Sequence, residues 1–164
     1  MRSVAAAIVG TLALAGPVAA RASVSTEKPW ATVNVCDTKD HPDAFGVRGY
    51  MRGLGGKRRT HMYLRIQAEF QTGNGTWRTL GAAGDSGWLD AGKSLARPRQ
   101  TGRTFTITPP AKGQPAYVLR ATVTFEWRRG TKVLRHVQAV TTGGHRGVSG
   151  ADPAGFSAAT CAIA

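Results

Sequence analysis

From His61 to Gln71 the chain alternates apolar and polar residues without a break: Met62, Leu64, Ile66, Ala68 and Phe70 stand between His61, Tyr63, Arg65, Gln67, Glu69 and Gln71. Successive side chains of a strand point to opposite faces, so a period of two buries one set and solvates the other, whereas a helix would scatter both sets around its circumference. Residues 116–128 repeat the pattern, with Tyr117, Leu119, Ala121, Val123, Phe125 and Trp127 set against Arg120, Thr122, Thr124, Glu126 and Arg128. Two strands of this kind commit the chain to a sheet with one buried face.

Shorter strand signals lie at 31–36, 45–51, 104–108, 132–141 and 158–163, and residues 77–89 read as one or two short strands. The punctuation agrees. Asn74-Gly75 and Arg129-Gly130 tolerate positive φ between strand-like runs, and Pro109-Pro110 and Pro115 break the chain before the longest strand. After the first twenty or so residues no helical stripe of useful length occurs. Beyond Lys132 two phases compete: one buries Leu134 and Val140, the other Val133, Val137 and Ala139, and a bulge would serve both.

About seven short strands separated by turns point to an all-β fold, an antiparallel β-sandwich. Over residues 31–141 the strand pattern resembles the immunoglobulin and fibronectin type III superfolds. The most pointed element is Tyr117, which follows the Pro-rich corner and opens the strand Tyr117-Val118-Leu119-Arg120-Ala121. It is similar to the tyrosine corner, whose hydroxyl bonds back to corner backbone; the plain alternative is a half-buried strand aromatic. The chain departs from the antibody type in its cysteines. Antibody-type domains staple their middle strands, whereas Cys36 and Cys161 would tie the first strand to the C-terminal segment.

The first residues read as an export signal: Arg2, an apolar run over 4–14, then small residues that allow cleavage after Ala20 or Ala22. The run is shorter than the span of about 20 residues that crosses a bilayer, so the expectation is a secreted protein that does not span the membrane. Residues 23–29 form a short lead-in to a single domain over 30–164, with a Gly-rich segment at 142–155. Two cysteines in an exported chain read as one disulfide, Cys36 to Cys161.

Several motifs match in letters but lack their chemistry. Gly87 to Ser94 satisfies the Walker A pattern, yet Pro98 forbids the helix whose N-terminus would hold phosphate. His41-Pro42-Asp43 matches the J-domain tripeptide without the long helices around it. Asn74-Gly75-Thr76 is a glycosylation sequon, but Asn-Gly is first a hairpin turn. Asp37, Asp40 and Asp43 could hold calcium at one end of a sandwich, although their spacing fits no established calcium loop, and a solvated loop is the simpler reading. The four histidines show neither metal-ligand spacing nor a nucleophile partner. The expectation is a protein without cofactor or catalysis.

The charges carry what remains. The chain has a formal net charge of +13, most of it from Arg. Such an excess bears on partners rather than fold, unless it reflects composition alone. In a sandwich of this superfold alternate connections share an end. That rule gathers Arg52, Lys57, Arg58 and Arg59, then Lys93, Arg97, Arg99 and Arg103, then Arg128, Arg129 and Lys132 at one end, provided 77–89 makes a single pass. The opposite end receives Asp37, Asp40 and Asp43. This predicts a non-catalytic binding module for an anionic polysaccharide, a wall phosphate polymer or extracellular nucleic acid. A protein-binding inhibitor or effector, and a structural domain without a discrete ligand, are the alternatives.

Overall fold

The structure, a computed structural model, describes residues 27–164, so the export signal expected at 1–22 lies outside the described residues. Nine strands occur among the described residues: β1 (Trp30–Cys36), β2 (Ala44–Arg52), β3 (Thr60–Gln71), β4 (Trp77–Thr79), β5 (Asp85–Ser94), β6 (Pro98–Thr106), β7 (Tyr117–Arg129), β8 (Lys132–Val140) and β9 (Cys161–Ile163), with a 3-10 turn at Gly81–Gly84. A three-stranded sheet runs β1-β2-β6. A six-stranded sheet follows the path β4-β3-β7-β8, with β5 also on β3 and β9 on β7. No helix among the described residues is long and apolar enough to cross a membrane.

The two alternating segments become the central pair of the larger sheet, and β3 and β7 run side by side from His61↔Arg128 to Phe70↔Leu119. Their inward phases, Met62, Leu64, Ile66, Leu119, Val123, Phe125 and Trp127, are buried against Phe45, Val47 and Met51 of β2. Burying a side chain of this size stabilises the fold by roughly 1.5 to 3 kcal/mol, so these positions decide which face turns in.

Residues 77–94 make a single interrupted pass. β4 lies opposite Glu69 to Gln71 and β5 opposite Thr60 to Gln67, both antiparallel to β3 and along the same edge. The 3-10 turn is the interruption. A Cβ on Gly84 would lie 2.6 Å from Leu80 Cβ and 3.0 Å from Ala68 Cβ. Only glycine lets the turn press against β3 so closely.

β6 starts at Pro98, six residues before the segment expected from sequence. It is an edge strand, which tolerates a leading proline. At the β7–β8 hairpin the pairing shifts between Trp127 and Arg128, so Arg128 meets Val133 while Trp127 meets Arg135. This bulge lets Leu134 and then Val137 and Ala139 turn inward, serving both competing phases.

Residues 142–160 cross the outer side of the three-stranded sheet as a strap. Asn34 Nδ2 donates to Gly150 O at 2.6 Å, and Gln100 both donates to Gly147 O and accepts from Ser149 N at 2.9 Å. The His145 ring stacks on Trp30 at 4.0 Å, and Trp30 stacks on Tyr50 at 4.9 Å. Single bridges from Thr141, Asp152 and Ala158 close the free edge of β1. The strap delivers β9 to β7, and the Cys36–Cys161 disulfide, with Cα atoms 5.4 Å apart, joins one sheet to the other.

Tyr117 is 41 % exposed. Among the described residues its hydroxyl has no hydrogen-bond partner, so the corner bond that its setting suggested is not formed.

Candidate functional site

The register places three connections at one end of the sandwich. Arg52 is level with Pro98, Thr60 with Ser94, and His61 with Arg128. The β2–β3 and β5–β6 connections touch directly, Gly55 N donating to Leu95 O at 2.6 Å and Arg52 Nε to Ala96 O at 3.2 Å. A Cβ on Gly53 would lie 2.4 Å from Leu95 O, so the close approach of these two loops requires glycine there. The indole of Trp127 donates to Arg52 O and ties the same corner to the core.

The eleven cations expected at this end divide into three groups. Lys57, Arg58, Arg59, Lys93, Arg97, Arg129 and Lys132 lie in or beside the connections, all exposed. None of these seven forms an ion pair among the described residues. Arg52 and Arg128 are spent on the protein itself. Arg52 binds Ala96 O and reaches Glu27 at 3.5 Å, and Arg128 binds Glu126 at 2.6 Å.

Arg99 and Arg103 are strand residues of β6, level with Met51 and Val47, and Arg103 lies five residues inside β6 rather than in a connection. Both share the inward phase of Phe105 yet remain exposed, because β6 is the edge of its sheet. They line the open side of the sandwich. Inward-pointing charge on an edge strand also hinders edge-to-edge pairing.

At the opposite end Asp37 and Asp43 adopt positive φ, 42° and 56°, and Asp37 Oδ1 accepts from Asp43 N at 2.9 Å. The pair organises the β1–β2 turn. No group of three metal-capable side chains occurs among the described residues. The same end holds a groove of about 410 Å³ lined by Phe70, Leu80, Ile107, Tyr117 and Leu119. Gly87 to Ser94 lies within strand β5 and is followed by strand β6, so the phosphate loop and the helix that a Walker A site needs are both replaced by strands. Asn74 sits in the β3–β4 turn, its Oδ1 accepting from Thr76 N at 3.1 Å.

Sequence reasoning missed a second assembly, on the outward face of the six-stranded sheet. Tyr63 and His61 share a hydrogen bond of 2.9 Å between the hydroxyl and Nδ1, and His61 Nε2 lies 2.8 Å from Asp90. Partial burial works against the Asp90 charge, but the Gly92 amide and His61 outweigh it and hold the carboxyl below its ordinary value. The Arg128 guanidinium lies 4.7 Å from the Tyr63 ring centre and 4.6 Å from that of Trp88. Beside them Arg65 grips Asp85 through two nitrogens, and this bond, against some burial and with help from the Gly87 amide, holds the Asp85 carboxyl low. The only advance signal was that His61 and Tyr63 share the solvated phase of one strand.

Hydroxyl, imidazole and carboxylate in series are the parts of a proton relay. They lie on a sheet face, however, and the groove described above is at the other end of the domain. No protein-family model matches this chain, and no curated protein matches it significantly.

Proposed function

We propose that the chain is a secreted, non-catalytic binding module whose basic loop end docks on an anionic polymer. One observation carries this reading: three connections distant in sequence lie at one end and present seven exposed cations, none of them in an ion pair among the described residues. Exposed charge of this kind contributes little to stability, so its concentration favours a role in recognition. Arg suits the role because its planar fork grips phosphate or carboxylate with two donors. A polysaccharide carboxylate or sulfate, a wall phosphate and a nucleic-acid backbone all offer that geometry.

Export is supported by the leader-like residues ahead of the domain and by a disulfide that cytosolic thiols would keep reduced. An immunoglobulin- or fibronectin type III-like arrangement is supported by the strand order. With β4 and β5 taken as one pass, the first, second and fifth passes share one sheet, and the third, sixth and seventh are neighbours in the other.

The test replaces one cation per connection, Arg58, Arg97 and Arg129, by Ser. The control replaces Lys39, Arg78 and Lys112, exposed residues outside the three connections. On heparin and polyphosphate columns the loop variant should elute at much lower salt than the control, and both should melt as the parent does. Equal loss from the two sets would leave only a generally basic protein. Binding should also weaken steeply with salt through counterion release.

A further inference from the structure

We infer that the outward face of β3, β5 and β7 is a second binding site, for uncharged pyranose units of a polysaccharide. The site consists of Tyr63, Trp88 and Arg128 with His61, Asp90 and Glu126. The register sets these residues in adjacent rows: His61↔Arg128, Tyr63↔Glu126 and Tyr63↔Asp90, with Trp88 one row further on, opposite Arg65.

The ionisable groups of the assembly are each held by a neighbour. Asp90 fixes the His61 ring, His61 fixes the Tyr63 hydroxyl, Glu126 fixes Arg128, and Arg128 lies against both aromatic rings. Trp88 nevertheless stays 41 % exposed, a large apolar ring left in water among charged side chains. The Arg128–Glu126 pair is largely buried and orders the floor of the assembly, but the cation–π contact of an exposed ring contributes only about 0.5 to 1 kcal/mol, so stability is a weak reason for leaving Trp88 in water. Pre-organisation for a ligand is a stronger one.

The chemistry selects the ligand. An exposed indole offers a flat face to the C–H side of a sugar ring. Carboxylate and guanidinium held side by side accept from and donate to neighbouring hydroxyls, the groups a pyranose presents around its rim. Charge decides against a polyanion at this face: Arg128 is matched by Glu126 and Arg65 by Asp85, and the Asp90 carboxylate lies against the His61 ring. A phosphate chain laid here would meet three carboxylates; a neutral sugar meets balanced donors and acceptors. This face is thus chemically distinct from the loop end it adjoins at Lys93 and Arg129.

The test is sedimentation of the protein with insoluble cellulose, chitin and β-1,3-glucan in about 1 M salt, where charges are screened within about 3 Å. The protein should be retained on at least one of them, and Trp88→Ala should lose retention by roughly tenfold or more, the equivalent of about 1.4 kcal/mol. Trp88→Phe, which keeps a flat ring, should recover part of it. The Arg58, Arg97 and Arg129 variant should bind as the parent does, which separates this site from the loop end. No retention on any of the three, or retention undiminished in Trp88→Ala, would overturn the proposal. So would Trp88-dependent quenching of fluorescence by a single-stranded oligonucleotide without retention on the polysaccharides, which would assign the face to nucleic acid.

Discussion

The indole N–H of Trp127, buried near the end of β7, donates to the main-chain carbonyl of Arg52, the last residue of β2. One hydrogen bond thereby links the centre of the larger sheet to the strand that opens the first basic connection. Trp127→Phe should cost roughly 2 to 4 kcal/mol, since it leaves that carbonyl unpaired and opens space in the core. Urea unfolding checks the magnitude. Faster amide exchange at Gly55, whose N–H bonds to Leu95 O, would show the loosened corner. A variant as stable as the parent would mean that water replaces the bond at no cost.

The disulfide closes a loop with a sequence separation of 125. In the chain-entropy model this contributes about 4 to 5 kcal/mol, less where the reduced chain stays compact. Replacing Cys36 and Cys161 by Ala should lower the melting temperature markedly without abolishing the β-rich circular dichroism spectrum. Intact mass before and after alkylation of the parent should reveal no free thiol.

Acid should weaken the domain through His145. Its ring is carried by the strap and stacked on Trp30, and burial, partly opposed by the charge of Glu27, keeps its pKa below the ordinary value. Once the pH falls below about 6.5 the unfolded chain takes up this proton before the folded one does. The contribution is therefore complete above that pH and is lost progressively as the pH drops toward the folded pKa. Asp85 and Asp90, both held low, add a separate loss only in stronger acid. His145→Phe keeps a stacked ring that cannot protonate, and its melting temperature should vary less between about pH 7 and pH 5. An unchanged slope would place the proton uptake elsewhere.

Arg99 and Arg103 share the phase of the buried Phe105 on an edge strand. Replacing both by Val should make β6 a flat apolar edge, and sedimentation velocity should show concentration-dependent association. A strictly monomeric variant would mean that the edge is protected by other means.

The central sheet was legible because burial on one side leaves a period of two in the sequence, as it does from Met62 to Phe70. The bulge after Trp127 was legible as a conflict between two phases that only an extra residue resolves. The start of β6 was not. Pro98 to Arg103 contains no apolar residue, since an edge strand with inward arginines has the composition of a loop. The three connections could be brought together by the alternation of strand ends, but Arg103 was lost to the lengthening of β6. The relay from Tyr63 through His61 to Asp90 was out of reach for another reason. His61 and Asp90 meet across strands at a register shift between Met62 and Tyr63, and the sequence contains no mark of that shift.

The bridge between Cys36 and Cys161 also determines how the domain would respond to being stretched. Tension applied ahead of Cys36 and beyond Cys161 passes from one cysteine to the other across 5.4 Å, by way of the sulfurs. The intervening chain, with β2 to β8 and both proposed binding surfaces, carries no load. Only β1 and the last residues of β9 can be peeled away. A protein built in this way, held at both ends, would lengthen slightly under tension and keep the fold between its cysteines intact.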